Sequence, residues 1–263
     1  MLTAEAAESG PNARVYLCGR VMLECGDVVL RDGALGGAQG RLLLAFLGTR
    51  RTRLVSRLET VEAVWGAEPP TSVDISLNAI VSKLRAAMRS AGMPPPYGVA
   101  TDAGAFQLAL PQAWLDVEAA RTSLDAAEGG LRRDDLASAW AAANVAAVIS
   151  RQSFLVDEDA AWVVRERDVL QRIWRRASIV LSIVSTATGE HQLGIQHAAE
   201  ACAAEPFDEV ACQALMRAHA VAGNRAEALR VFARCRRLFR EELGADPSQQ
   251  TIDAFMAIFR SKS

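Results

Sequence analysis

The sequence predicts a mainly α-helical chain with a small α+β domain at its N-terminus and an all-α domain after it. β-rich segments occur at residues 15–31 and 99–110, with three amphipathic helical segments between them. From Trp114 onward almost every segment has helical periodicity. The chain of 263 residues, 51% of them hydrophobic, is long enough for two domains with packed cores.

The first β-rich segment, residues 15–31, contains β-branched and apolar residues and is interrupted by Gly19 and Gly26. Gly26 and Asp27 form a turn signal, so this segment predicts a small β-meander. Residues 1–13 are expected to be a flexible N-terminus. They lack the basic and apolar regions of a secretion signal, and no later run reaches the ~18 apolar residues of a membrane span, which predicts a cytoplasmic protein.

Three helices follow the meander. The first begins near Gln39 and ends at Gly48, and the second begins after Ser56, a good N-cap, and ends at Gly66. The third ends at Gly92 and carries an apolar stripe of Val73, Leu77, Ile80, Val81, Leu84 and Met88. Two short strands then follow. Strands, three helices and a hairpin in this order predict a winged helix over residues 14–112.

The second half contains a weak internal repeat. Gly189 and Gly223 lie 34 residues apart, and each is followed by an alanine-rich amphipathic helix and later by a proline, Pro206 or Pro247. This is the period of a tetratricopeptide unit, a helix pair that stacks on its neighbours. The glycine-to-proline interval is longer in the second copy, so its helix is expected to be extended. We therefore predict a tetratricopeptide-like helical domain over residues 113–263.

The sequence gives no support for an enzyme, a metal site or a cofactor. The five cysteines are an odd number without a CxxC pair, which favours small buried thiols over a disulfide or a metal site. His191 and His197 are six residues apart, so they do not share a helix face as metal ligands do. The chain lacks a nucleophile elbow, a P-loop and a GxGxxG motif. Asp157 to Asp159 is read as an acidic helix start rather than a cation site.

The motifs of the chain, taken in order, resemble those of the actinobacterial SARP-type transcriptional activators from about residue 15 to residue 259. These proteins join an OmpR-like winged helix to a tetratricopeptide-like bacterial transcriptional activation domain. The motifs are LGGAQGRLLLAFL (35–47), VSRLETVEAVWGAEPP (55–70), SLNAIVSKLRAAM (76–88), GAFQL (104–108), LDVEAA (115–120) and LMRAHAVAGNRAEALRVFARCRRLFREELGADPS (215–248).

The resemblance implies a sequence-specific DNA-binding regulator, an activator that binds direct repeats of double-stranded DNA near a promoter and recruits RNA polymerase holoenzyme. It implies a homodimer at least on DNA, and a cytoplasmic, nucleoid-associated location without a membrane. The whole chain is near neutral, with 29 basic and 31 acidic residues, so its net charge does not indicate a nucleic-acid partner.

The third helix is the candidate recognition helix. If its apolar stripe faces the core, then Asn78, Ser82, Arg85 and Arg89, at spacings of four, three and four, lie on the opposite face, which a winged helix places in the major groove. Arginine, asparagine and serine side chains can read base edges there. Lys83 lies beside this face and is a candidate for phosphate contact. The alternative is a solvated surface helix.

Other residues are candidates for DNA-backbone or polymerase contact. The predicted backbone contacts are Arg41, Arg50, Arg51, Arg53, Arg57 and the wing residue Gln107. By resemblance, the loop containing Glu68, Pro69 and Pro70 faces RNA polymerase; the alternative is a rigid turn with Trp65 in the core.

Two departures from the family pattern favour a second function. Gln107 stands where an arginine is common, and Glu59 stands where a basic residue is common. Both changes reduce positive charge beside the expected DNA surface. The alternative function is therefore an interaction or ligand-sensing scaffold whose degenerate winged helix does not bind DNA.

Overall fold

The computed structural model describes residues 11–260, which form two compact units. The first unit comprises the chain up to Ala119 together with residues 152–169, and the second comprises residues 120–151 and the chain from Leu170 onward. Most of the predicted flexible N-terminus, residues 1–10, lies outside the described residues. Ala13 already belongs to the first strand. The predicted ranges 14–112 and 113–263 stay predictions.

Within the described residues, the first unit contains six short strands in two sheets. The strands are β1 (Ala13–Tyr16), β2 (Met22–Cys25), β3 (Val28–Arg31), β4 (Gly98–Asp102), β5 (Ala105–Ala109) and β6 (Trp114–Leu115). The four-stranded sheet has the order β3-β2-β1-β6, in which β1 is antiparallel to β2 and parallel to β6. The β2–β3 hairpin turns at Gly26 and Asp27, as the sequence predicts.

Three helices lie between β3 and β4 in the chain: α1 (Gly37–Gly48), α2 (Arg57–Trp65) and α3 (Val73–Ser90). Ser56 caps α2, because its hydroxyl accepts a hydrogen bond from the Glu59 N–H while the Glu59 carboxylate accepts one from the Ser56 N–H. β4 and β5 form the hairpin after α3. The order of strands, three helices and a hairpin confirms the predicted fold of the N-terminal half.

The carboxylate of Asp116 joins the end of β1 to the start of the first helix of the second half. It accepts hydrogen bonds from the Leu17 and Cys18 N–H groups, both at 2.8 Å, and from the Val117 N–H at 2.7 Å. Asp116 is only 3% exposed. Burial raises the pKa of its carboxyl, while the three N–H groups act in the opposite direction. Backbone N–H donors, rather than a cationic side chain, thus stabilise the negative charge of Asp116.

Residues 152–169 return from the second half of the chain and complete the first unit. Phe154 is buried and forms a β-bridge with Cys18, and the Gly19 N–H donates to the Ser153 carbonyl at 2.6 Å. The indole N–H of Trp162 donates to the Ala63 carbonyl of α2 at 3.0 Å. The core of the winged helix therefore contains side chains from far along the sequence, which the sequence analysis did not predict.

The second half contains seven helices up to residue 260, and the longest, α6, has residues in both compact units. Their bounds are α4 (Asp116–Arg132), α5 (Leu136–Ser150), α6 (Ala161–Ala187), α7 (His191–Ala204), α8 (Glu209–Val221), α9 (Arg225–Leu243) and α10 (Gln249–Arg260). This all-helical arrangement confirms the predicted class of the C-terminal half. None of the helices within residues 11–260 combines the length and apolar character needed to span a bilayer.

The predicted repeat corresponds to the helix pairs α7–α8 and α9–α10. Gly189 and Gly223 both adopt positive φ angles, 90° and 79°, at the turns that precede α7 and α9. As expected, the first helix of the second pair is longer, with 19 residues against 14. Pro206 and Pro247 lie between the two helices of each pair rather than at the end of a unit. Each glycine-to-proline stretch is therefore one helix, and its partner follows the proline.

A buried polar cluster attaches α10 to α8. The Gln213 amide donates to the Thr251 hydroxyl at 2.8 Å, and the Glu209 carboxylate accepts from the Ser248 N–H at 2.9 Å. Gln213 and Thr251 are both buried and both have partners in this cluster. The polar groups at the start of α10 are thus satisfied across the helix pair, which fixes the position of the last helix.

We expect Asp116→Asn to lower the free energy of unfolding by about 1–3 kcal/mol, because an amide has one acceptor oxygen and leaves at least one buried N–H group without a partner. Urea unfolding followed by far-UV circular dichroism measures this loss. Asp125→Asn, on the exposed face of α4, is the matched control and is expected to change the free energy by less than about 0.5 kcal/mol. Equal stability of the two variants would contradict the role given to Asp116.

Candidate nucleic-acid interface

The exposed face of α3 is centred on short side chains with charged residues at its margins. Ser82, Lys83 and Arg89 are exposed, and neither Lys83 nor Arg89 forms an ion pair with any residue in the range 11–260. Leu77, Ile80, Val81, Leu84 and Met88 are buried, as predicted. Two cations are thus available on this face for a polyanionic partner.

Arg85 lies at the edge of this face and is half-buried. Its Nε donates to the Val99 carbonyl at 2.7 Å, and a terminal nitrogen donates to the Thr101 hydroxyl at 2.5 Å. Both acceptors belong to β4, so Arg85 attaches the hairpin to α3. The base-reading role predicted for Arg85 stays a prediction, and in this arrangement its guanidinium positions the hairpin.

Arg57 connects the start of α2 to the first turns of α3. Its guanidinium donates to the Asp74 carboxylate at 2.7 Å and to the Asn78 side-chain oxygen at 3.3 Å. The amide nitrogen of Asn78 remains on the exposed side as a donor. Asn78 is therefore placed where the sequence predicts it, with its oxygen already occupied.

Arg53 pairs with Glu59 at 2.7 Å, at the exposed N-terminus of α2. Hydrogen bonds from Arg53 and Ser56 lower the pKa of Glu59 to about 2. Glu59 is thus ionised as the capping residue of α2, which gives the departure from the family pattern a structural role.

Arg51 stabilises the fold by binding acceptors elsewhere in the first unit. It pairs with Glu118, and its guanidinium also donates to the Leu110 carbonyl at 2.7 Å and the Ala113 carbonyl at 2.9 Å. Its side chain is only 16% exposed. Gln107 donates to the Arg51 carbonyl at 2.8 Å, so the hairpin residue also contacts this loop.

Arg50 and Arg41 are both half-buried. The Arg50 guanidinium lies 4.1 Å from the ring centroid of Phe46 and 5.6 Å from that of Trp162, and burial lowers its pKa. Arg41 lies 3.7 Å from the Asp32 carboxylate. The structure therefore brings the predicted arginines into one unit but engages most of them with protein groups.

The predicted polymerase-facing loop follows Gly66 at the end of α2. Glu68 and Pro69 are exposed, Pro70 is half-buried, and the Glu68 N–H donates to the Trp65 carbonyl at 3.3 Å. Trp65 is itself half-buried. The loop thus presents an acidic side chain and a proline to solvent.

The sequence analysis missed two features of this region. Ile75 is 73% exposed and lies on the same face of α3 as Ser82, although its type suggested no surface role. Trp162 packs edge-on against Phe46, with ring centroids 5.1 Å apart. A tryptophan at the start of a predicted helix, three residues after Asp159, was the available signal for the second contact, but periodicity does not identify its partner.

The described residues contain no cluster of histidine, cysteine, aspartate or glutamate arranged to hold a metal ion. The buried acceptors and cations described above are paired with protein groups. The arrangement on α3 can offer hydrogen-bond donors and positive charge to a ligand that approaches its exposed face.

Comparison with known families decides the class of protein. The model of the bacterial transcriptional activator domain, BTAD, matches residues 115–259. The chain belongs to this family. Together with the winged helix at its N-terminus, the domain makes this BTAD protein a transcriptional regulator of the SARP type.

Two curated relatives of the BTAD protein are regulators. Regulatory protein AfsR of Streptomyces coelicolor is 29% identical over 222 residues, which cover 82% of this chain and 22% of AfsR. AfsR of Streptomyces griseus is 27% identical over 230 residues, covering 86% of this chain and 23% of AfsR. The BTAD protein thus spans less than a quarter of the length of these relatives.

A solved structure with the same fold is that of Mycobacterium tuberculosis EmbR in complex with a low affinity phosphopeptide. Its TM-score is 0.85 at 20% sequence identity, and the match covers 96% of this chain and 66% of the EmbR chain. The likeness confirms the predicted fold, a winged helix followed by a helical BTAD.

Two arginine variants distinguish an arginine that stabilises the fold, Arg51, from one that is free to contact a ligand, Arg89. Arg51→Ala is expected to lower the free energy of unfolding by about 2–3 kcal/mol, because it leaves two carbonyls and the Glu118 carboxylate without their donor. Arg89→Ala removes an exposed side chain and is expected to change it by less than about 0.5 kcal/mol. Urea unfolding measures both. A stable Arg51→Ala variant would return Arg51 to the candidates for DNA contact.

Proposed function

We propose that this regulator binds double-stranded DNA sequence-specifically through the exposed face of α3. The observation that supports the proposal is that Lys83, beside Ser82, and Arg89, two turns after Ser82, are exposed and have no ion-pair partner among residues 11–260. A winged helix places this face in the major groove, where serine and arginine can read base edges and lysine can contact phosphate.

The other predicted contacts divide into two groups in this proposal. Arg53 and Arg57 are exposed enough to exchange their carboxylate partners for phosphate oxygens when DNA is bound. Arg41, Arg50, Arg51 and Gln107 hold the loop, helix and hairpin that surround α3. Asn78 and Arg85 contribute at the margins of the face, through the amide nitrogen of Asn78 and the hairpin that Arg85 attaches.

The proposed cellular role follows from the family. We infer an activator that binds promoter direct repeats as a homodimer and recruits RNA polymerase holoenzyme through the loop of Glu68, Pro69 and Pro70. Residues 14–112 would be the DNA-binding domain and residues 113–263 the effector domain, in a cytoplasmic, nucleoid-associated protein. The family is one of regulators, and the proposed role requires no catalytic step, metal or cofactor.

The alternative, a scaffold that does not bind DNA, is motivated by Glu59 and Gln107. In the structure Glu59 caps α2 and Gln107 contacts the Arg51 carbonyl. Both residues therefore have a structural reason to depart from the family pattern, and neither requires the loss of DNA binding.

Fluorescence anisotropy with duplexes tiled across the upstream region of the gene, at two salt concentrations and against scrambled DNA, tests the proposal. We expect tight binding to one tile that weakens steeply with salt, because cations on α3 displace counterions from phosphates. Equal binding to every tile would contradict sequence-specific recognition, and binding to none would favour the scaffold.

Binding of protein variants to the preferred tile assigns separate roles to Lys83 and Arg89. Lys83→Ala is expected to weaken binding to the specific and scrambled duplexes alike and to reduce the salt slope by about 1. Arg89→Ala is expected to reduce the preference for the specific tile by about 1–3 kcal/mol. Arg172→Ala, an exposed arginine of the second unit, is the matched control. Wild-type binding by both α3 variants would remove the interface from this helix.

A further inference from the structure

Ile75 is the most unusual side chain on the exposed face of α3. It lies in the first turn of the helix and is 73% exposed, although the other large aliphatic side chains of α3, apart from the half-buried Val73, are buried. A single exposed aliphatic residue is common on protein surfaces and by itself needs no explanation. Ile75 is of functional interest because it lies on the same face of α3 as the proposed DNA contacts.

Ile75 lies on the central line of that face. Seven residues, or two helical turns, separate it from Ser82, and Ala79 and Ala86 are the next exposed positions beside this line. Alanine and serine are short, so a surface that meets this face approaches the helix closely. Arg89 follows Ser82 by another seven residues on the same line, and Lys83 lies beside it. Ile75 is therefore the one long aliphatic side chain on a line that continues through Ser82 to a cation at the other end of the helix.

The first turn of α3 is also held in place. Arg57 contacts both Asp74, directly before Ile75, and Asn78, three residues after it. Isoleucine is branched at Cβ and has few rotamers in a helix. The side chain is thus presented in a fixed direction, and an apolar contact at this point loses little conformational entropy.

The floor of a major groove offers one apolar group to such a side chain. Base edges present hydrogen-bond donors and acceptors, and only thymine adds a methyl group, at C5. We propose that Ile75 packs against the 5-methyl group of a thymine and sets a preference for thymine at one position of the DNA site. This inference rests on the proposed function, since it requires α3 to lie in the major groove.

A protein partner fits this face less well. Stable protein interfaces bury more than about 1,000 Å², with an apolar centre. Here Asp74, which is paired with Arg57, precedes Ile75, Asn78 follows it within one turn, and Ser82 lies two turns further on. A single aliphatic side chain among polar and short ones matches the floor of a groove, where hydrogen-bonding groups surround each methyl group, better than it matches the apolar centre of a protein interface.

Replacement of thymine by uracil tests the inference directly. Deoxyuridine lacks the 5-methyl group but keeps the base pairing and the phosphate charges. The probe is the duplex tile that binds most tightly, prepared with thymine and with uracil, and then with uracil at one position at a time. We expect removal of the methyl group that Ile75 touches to weaken binding of the wild-type chain about fourfold, with the effect confined to one position in each half-site.

The variants form a double-mutant cycle with the DNA methyl group. Ile75→Ala is expected to weaken binding to the thymine duplex and to bring the ratio of thymine to uracil affinity close to one. Ile75→Val, which keeps the branched Cβ, is expected to retain part of the ratio. Val148→Ala, at an aliphatic residue of α5 that is 62% exposed, should leave the wild-type ratio unchanged. Circular dichroism confirms that each variant folds.

Each outcome below tests the contact between Ile75 and a thymine methyl group, and the last one also tests the proposed DNA binding. A wild-type chain that binds thymine and uracil duplexes equally, or an Ile75→Ala variant that keeps the wild-type ratio, overturns the inference and leaves the proposed DNA binding in place. Equal weakening on both duplexes by Ile75→Ala also overturns it, because the side chain would then touch something other than the thymine methyl. Failure to bind any duplex overturns the proposed function and this inference together.

Discussion

The charge of the buried Asp116 carboxylate fixes how the chain leaves the winged helix. Three backbone N–H groups converge on it, two from the turn after β1 and one from the first turn of α4. A carboxylate in an apolar interior is costly unless donors surround it, so the end of β1 and the first turn of α4 are held together. The parallel pairing of β6 with β1 directly precedes this contact. The four-stranded sheet, the start of α4 and the Arg51–Glu118 pair all depend on this geometry.

Some arginines of the first unit bind protein acceptors and others are available to a ligand. This difference follows from the same need to satisfy buried polar groups. A guanidinium can satisfy several carbonyl or hydroxyl acceptors at once, and the first unit uses Arg51, Arg85 and Arg167 in this way. Each of them joins parts of the chain that hydrogen bonds within a helix or strand do not connect. A high arginine content therefore does not by itself indicate a large DNA-contacting surface, because arginines that satisfy buried acceptors, such as Arg51, are not available to DNA.

Local patterns were enough to predict the order of elements but not the contacts between distant segments. The stripe from Val73 to Met88, the cap at Ser56 and the turn at Gly26 are all encoded within a few residues, and each is where the sequence places it. By contrast, Arg51 and Glu118 are 67 positions apart, and Trp162 and Ala63 are 99 apart. Periodicity carries no information at that range, so the partners of the arginines could not be predicted. Ile75 lies outside the apolar stripe predicted for the third helix, so helical periodicity was compatible with its exposure, but an aliphatic residue type suggested no contact for it.

The return of residues 152–169 to the first unit has a consequence for the history of the protein. Phe154 and Trp162 contribute to the interior of the winged helix, although they are encoded after two helices of the second half. A recombination event that transferred only the first 112 codons to another gene would leave Phe46 and the Ala63 carbonyl without these neighbours. The winged helix is therefore constrained to be inherited with the part of the second half that ends at residue 169, and shuffling between regulators should preserve this whole segment.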